Sequence, residues 1–155
     1  MKHAILLLML TLAASATDAA AQNIALGERV PEFKNTVWLD DIRPVEAPMT
    51  YIEFFHSSNK ASDTSLEQLR NLSDKLGTKL RIIIVTKEPA AKVAHLLRPY
   101  LSPRMTVAMD SSGRSFAAFG VTYVPFGVLV DARGRALWMG NSQQMNEKLI
   151  QNITR

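Results

Sequence analysis

Along the chain, short unbroken apolar runs alternate with stretches in which leucine recurs at helical spacing, and turn-forming residues stand between them. Residues 49–55 are the first such run: Met49, Thr50, Tyr51, Ile52, Glu53, Phe54 and Phe55. Their β-branched and aromatic content, with little polar alternation, is what a central strand covered on both faces requires. After a polar loop, Leu66, Leu69, Leu72 and Leu76 fall on one helical face. A helix of three to four turns is predicted there, opened by a capping box of Thr64 and Glu67 and stopped by Gly77.

Residues 79–86 form a second buried-type strand. Glu88 and Pro89 then open a helix through Val93, Leu96 and Leu97 that Pro99 ends. Residues 105–109 read as a short strand, and residues 113–119 as a short helix closed by Gly120. Two last strands, 126–130 and 136–139, are joined by the turn at 131–134. A final helix begins near Ser142 and points Met145, Leu149, Ile150 and Ile153 inward. Residues 22–48 are less regular, broken by Pro31, Pro44, Pro48 and the pair Asp40 and Asp41, and read as an N-terminal β extension carrying a hairpin. Strand and helix alternation ending in a hairpin and a helix predicts an α/β fold: a central mixed sheet with helices on both faces, its core in residues 49–155.

Composition fits one such core: 155 residues, 47% hydrophobic and 21% charged. The beginning of the chain changes the picture. Lys2 and His3 precede an apolar run at 4–13, and small residues lead to Ala19, Ala20 and Ala21, the pattern of a cleaved signal peptide over residues 1–21. The run is shorter than the roughly 20 residues of a spanning helix. Export to a bacterial periplasm or outside the cell is expected, with no membrane anchor after cleavage. Removing residues 1–21 takes away one basic residue, Lys2, and one acidic residue, Asp18, so the net charge stays +4. The basic residues are scattered, which gives no support for nucleic-acid binding. Small exported domains often rely on disulfides, yet this chain has no cysteine, so packing alone must hold it.

Three stretches resemble the exported thioredoxin-like proteins of TlpA and ResA type. Leu26-Gly27-Glu28-Arg29-Val30-Pro31-Glu32-Phe33 is similar to the start of that domain. The segment from Phe119 to Gly134, including Val124-Pro125-Phe126-Gly127, resembles the family's cis-proline and the hairpin after it. Between them, Ile52-Glu53-Phe54-Phe55-His56-Ser57-Ser58-Asn59-Lys60-Ala61-Ser62 sits where the family carries a strand and then Trp-Cys-x-x-Cys, which puts the two cysteine positions at Asn59 and Ser62. The resemblance implies a thioredoxin-like fold and a cis bond before Pro125. It also implies that the segment before Pro125 offers backbone groups to an extended polypeptide.

Disulfide exchange needs a thiolate to attack and a second thiol to resolve the mixed disulfide. Neither an amide nor a hydroxyl replaces them, so thiol–disulfide oxidoreductase activity is excluded by composition. By the resemblance, the candidate binding surface joins Phe55, His56, Ser58, Asn59, Lys60 and Ser62 to Thr122, Tyr123, Val124, Pro125 and Phe126. The expected partner is an extended polypeptide or another exported protein, and a purely structural turn at Pro125 is the competing reading. His56, Ser57, Ser58 and Asp63 supply the residue types of a hydrolase, so an enzyme with non-thiol chemistry in loop 56–62 is a second reading. A degenerate family member is a third. His56 and His95 stand far apart without cysteine, so no metal site is expected, and no cofactor. Glu53 is either a partly buried carboxyl with a raised pKa or a group near a strand end that reaches water, and the second is favoured.

Overall fold

The computed structural model describes residues 24–155, so the predicted signal peptide lies outside the described residues. Ten regular elements follow in order: β1 (Val37–Trp38), β2 (Met49–Phe54), α1 (Lys60–Leu76), β3 (Leu80–Thr86), α2 (Ala90–Leu97), β4 (Met105–Met109), α3 (Arg114–Ala118), β5 (Phe126–Val130), β6 (Ala136–Asn141) and α4 (Glu147–Ile153). They build one mixed sheet in the order β1-β4-β3-β2-β5-β6. β2, β3 and β4 run parallel, which the crossovers through α1 and α2 allow, while β5 and β6 return antiparallel.

β2 is central, with Ile52 opposite Ile83 on one side and Val128 on the other. Its alternating residues therefore enter two different cores. Tyr51 and Phe55 pack with Leu66, Leu69, Leu72, Val93, Leu97 and Ile150, beneath α1, α2 and α4. Ile52 and Phe54 pack with Ile83, Val85, Phe116, Phe119 and Val128 on the opposite face. Burial on both faces explains the near-continuous hydrophobicity of the strand, at about 1.5–3 kcal/mol for each large side chain taken from water.

The helix after β2 is longer than its leucines indicate. α1 spans 17 residues and opens at Asn59, whose Oδ1 accepts from the Ala61 N–H at 2.9 Å. Thr64 lies inside the helix and its hydroxyl donates to the Lys60 carbonyl, so the predicted capping box at Thr64 and Glu67 is not the N-terminus. The buried stripe continues back through Ser65 and Ser62, small enough to sit beneath the first turn. Gly77 ends the helix as predicted, with φ of 55° that side chains disfavour.

Two further expectations are corrected. The last α-helix starts at Glu147, capped by Asn146, because Ser142–Gln144 forms a separate 3-10 turn that buries Ser142 and Met145. Among the described residues the N-terminal segment makes no hairpin on itself. Instead β1 pairs with β4 at one sheet edge, while the Val30 N–H donates to the Gly134 carbonyl and the Gly27 N–H to the Ala136 carbonyl at the hairpin end. Existing strand edges offer unpaired backbone groups, and the proline-broken segment satisfies itself there. Leu39 passes into the core beneath α2, and the Arg98 guanidinium donates to both carboxylate oxygens of Asp40 at 2.9 and 3.2 Å.

Candidate functional site

Parallel strands bring loops together at their C-terminal ends. His56, Ser57 and Ser58 follow β2, and Glu88 follows β3, so the register that pairs Phe54 with Val85 sets them side by side. Glu88 accepts from the Ser57 N–H at 2.9 Å and from the Ser57 hydroxyl at 2.6 Å. Lys92 Nζ, one helical turn into α2, lies 3.1 Å from the same carboxylate. Burial pushes the Glu88 carboxyl up, but the Ser57 hydrogen bonds, Lys92 and the nearby His56 together outweigh it and hold the pKa below its usual value.

His56 Nε2 stands 3.6 Å from Glu88 Oε1, and its Nδ1 is 2.7 Å from Ser58 Oγ. The Ser58 N–H also donates to Nδ1, so a neutral ring carries its proton on Nε2, toward Glu88. Asp63, predicted as the carboxylate of this group, is replaced by Glu88. The latter was recognisable in principle, because it follows a parallel strand that ends at the same edge.

Asn59 uses both ends of its amide. Oδ1 caps α1, and Nδ2 donates to the Val124 carbonyl at 2.7 Å. The loop after β2 and the segment before Pro125 therefore meet, and the Val124-Pro125 bond is cis. Among the described residues the N–H groups of Thr122, Tyr123 and Val124 have no hydrogen-bond partner. Tyr123 is 49% exposed and meets the Phe126 ring edge-on at 5.4 Å between centroids. Ser58, Lys60 and Thr122 are exposed, and His56, Asn59, Val124 and Phe126 are half-buried. Phe55 and Ser62 are fully buried and Pro125 is buried, so these three shape the surface from beneath and offer it no direct contact.

Under this surface lies a polar cluster inside the core. Glu53 is fully buried, which corrects the expectation that it reaches water. It pairs with Ile84 and Gly127, in the middle of the sheet and not at its edge. The Ser65 hydroxyl donates to Oε1 at 3.0 Å, the Ser142 hydroxyl donates to Oε2, and the Tyr51 hydroxyl donates to Ser142 at 2.9 Å. Burial dominates over these hydrogen bonds and pushes the Glu53 pKa up to about 8. Burial and the neighbouring Glu53 also raise Tyr51 well above the ordinary phenol value. Gly127 makes room for this cluster, because a Cβ there would overlap the Tyr51 hydroxyl and come within 2.6 Å of Ser142 Oγ. Ser62, at the second expected cysteine position, has a buried hydroxyl with no partner among the described residues.

Among the described residues no group of three His, Asp or Glu side chains is placed to hold a metal ion, and no helix is long and apolar enough to cross a membrane.

A sheet of this order, with a cis-proline facing the N-terminus of the helix after its central strand, is a thioredoxin-like fold, and solved structures bear this out. A putative thiol:disulfide interchange protein DsbE from Chlorobium tepidum is similar at TM-score 0.65 and 18% identity, covering 85% of this chain and 97% of that one. A thio-disulfide isomerase from Thermus thermophilus matches at TM-score 0.67 and 19% identity, over 84% of this chain and 96% of that one. StoA from Bacillus subtilis matches at 0.56 and 16%, over 72% and 86%. No family model and no curated protein matches the sequence. The chain thus shares the thioredoxin-like fold of these structures and has no cysteine.

Proposed function

We propose that this chain is an exported, non-redox binding module that holds an extended polypeptide against Thr122, Tyr123 and Val124, beside the loop of His56, Ser58, Asn59 and Lys60. The observation that carries this reading is the hydrogen bond from Asn59 to the Val124 carbonyl. It bridges the two segments, which supports reading them as one surface. The neighbouring N–H groups are left to donate to the carbonyls of another chain. Tyr123 and Phe126 supply the aromatic contact that peptide recognition uses. Export rests on the signal-like pattern of residues 1–21.

Titration of the 15N-labelled protein with a carboxymethylated, permanently unfolded polypeptide tests the reading. Amide shifts should concentrate on residues 56–60 and 122–126, and Tyr123→Ala should weaken binding about tenfold or more. Shifts confined to another face, or undiminished binding by a folded Tyr123→Ala variant, would remove this surface from consideration.

A second reading is favoured by one geometry: Ser58 Oγ, His56 and Glu88 stand in the order of nucleophile, base and orienting carboxylate. An ester screen with His56→Ala and Ser58→Ala controls decides it. Turnover equal to those controls discards the enzyme.

A further inference from the structure

Among the described residues, the face of the sheet opposite α1, α2 and α4 carries a single short helix. α3 has five residues and covers the region of Phe54 and Phe116, near the end of β2 that leads to His56. The other end of that face, around Thr50, Ile52 and Arg81, is roofed only by the N-terminal segment. Between roof and sheet lies a cleft of about 420 Å³, at the far end of β2 from the candidate binding surface. That volume is within the range of small-molecule sites.

The floor of the cleft is apolar, formed by Ile52, Ile83 and Val130 from three neighbouring strands, with Phe33 and Trp38 beside them. One charged group stands among them. Arg81 lies on β3 opposite Thr50, on the same face as Ile83, with its side chain only 23% exposed. Its Nε–H donates to Thr50 Oγ1 at 2.7 Å and its Nη1 donates to the Val45 carbonyl at 3.1 Å, which fixes the plane of the guanidinium. The Nη2 hydrogens have no acceptor among the described residues. A guanidinium whose plane is fixed through Nε and Nη1 and whose Nη2 is free is a pre-organised cationic donor for an anion.

Charge at the rim agrees. Arg29 and Arg133 line the cleft with Arg81. The carboxylates that also line it are engaged or turned outward. Glu32 pairs with Lys34 at 3.4 Å, Asp131 accepts from the Arg133 and Arg135 N–H groups within its own turn, and Glu46 is 99% exposed, 3.7 Å from Arg81 Nη1.

We propose that this cleft binds a small carboxylate with an aromatic or branched aliphatic body, its apolar part on Ile52, Ile83 and Val130 and its carboxylate on Arg81. The site is independent of the polypeptide surface at the other end of β2. An anion with an apolar tail fits because the floor offers no polar partner, while the free Nη2 of the Arg81 cation stands at its margin.

Calorimetric and 15N-shift titrations with 4-phenylbutyrate, against its neutral amide, test the proposal. The acid should saturate and move the amides of Ile52, Ile83 and Val130 and the Trp38 indole, with the amide compound at least about tenfold weaker. Arg81→Gln should lose that preference for the acid while retaining weak binding of the amide compound. Ala47→Trp, which leaves Arg81 in place and fills the roof side of the cleft, should abolish both. The proposal is overturned if acid and amide compound bind alike, if a folded Arg81→Gln variant binds the acid as the wild type does, if the shifts fall outside the cleft, or if the acid fails to saturate below about 10 mM.

Discussion

Asn59 joins the start of α1 to the residue before the cis-proline, capping the helix with Oδ1 and donating from Nδ2 to the Val124 carbonyl at 2.7 Å. The resemblance read from the sequence places a cysteine at this position. Here an amide ties the two segments together, so the surface is held in one arrangement by a hydrogen bond and not by a reactive atom.

The two roles of that amide are separable. Asp caps helices about as well as Asn but cannot donate to a carbonyl. Asn59→Asp should therefore lose the Val124 bond alone and cost about 1–2 kcal/mol, with Asn59→Ala losing both roles and costing more. Urea denaturation of the two variants checks this. Equality of Asn59→Asp with the wild type would mean that the bond to Val124 contributes nothing.

Ser62 carries a buried hydroxyl without a partner among the described residues. Ser62→Ala removes a desolvated polar group at almost constant volume, so the variant should be as stable as the wild type or about 1 kcal/mol more stable. A loss above that size in thermal or urea unfolding would show that the hydroxyl is satisfied in solution.

Glu53 and Glu88 give opposite pH dependences. The Glu53 pKa is raised from 4.5 to about 8 on folding, so the folded state holds its proton more tightly, and the stability it contributes is lost as pH rises from about 4.5 to about 8. Glu88 is lowered on folding, so its contribution is present above 4.5 and lost as pH falls through its depressed folded value. Stability measured across pH should thus decline from mild acid toward pH 8. Glu53→Gln should flatten that decline and be more stable than the wild type at pH 8. An unchanged slope in Glu53→Gln would assign the decline to other groups.

Gly127 faces the Tyr51 hydroxyl with no room for a Cβ. Gly127→Ala should destabilise by about 1–3 kcal/mol through overpacking. Because the overlap is with the phenolic oxygen and its ring carbon, adding Tyr51→Phe should recover part of the loss. Additive losses in the double variant would place the strain elsewhere.

The sequence discloses the strands well where apolar runs are bounded by turns. β4 and β5 have the predicted limits, and Gly77 ends α1 because nothing else accepts its backbone angles cheaply. It discloses the first turn of α1 poorly, because Ser62 and Ser65 continue the buried stripe without being apolar. The sequence offers burial of Glu53 only as the less favoured of two readings, and only the fold brings Ser65, Ser142 and Glu53 together. The candidate surface was legible as two segments through the family resemblance. Their junction at Asn59 and Val124, separated by 65 positions, was not legible, and neither was the support from Glu88.

The two apolar cores meet across β2 without any sulfur crosslink, since the chain has no cysteine. Dithiothreitol and oxidised glutathione should leave its melting temperature unchanged. The fold is thus held by packing and hydrogen bonds alone, so a change of thiol–disulfide potential has no bond in this chain to make or break.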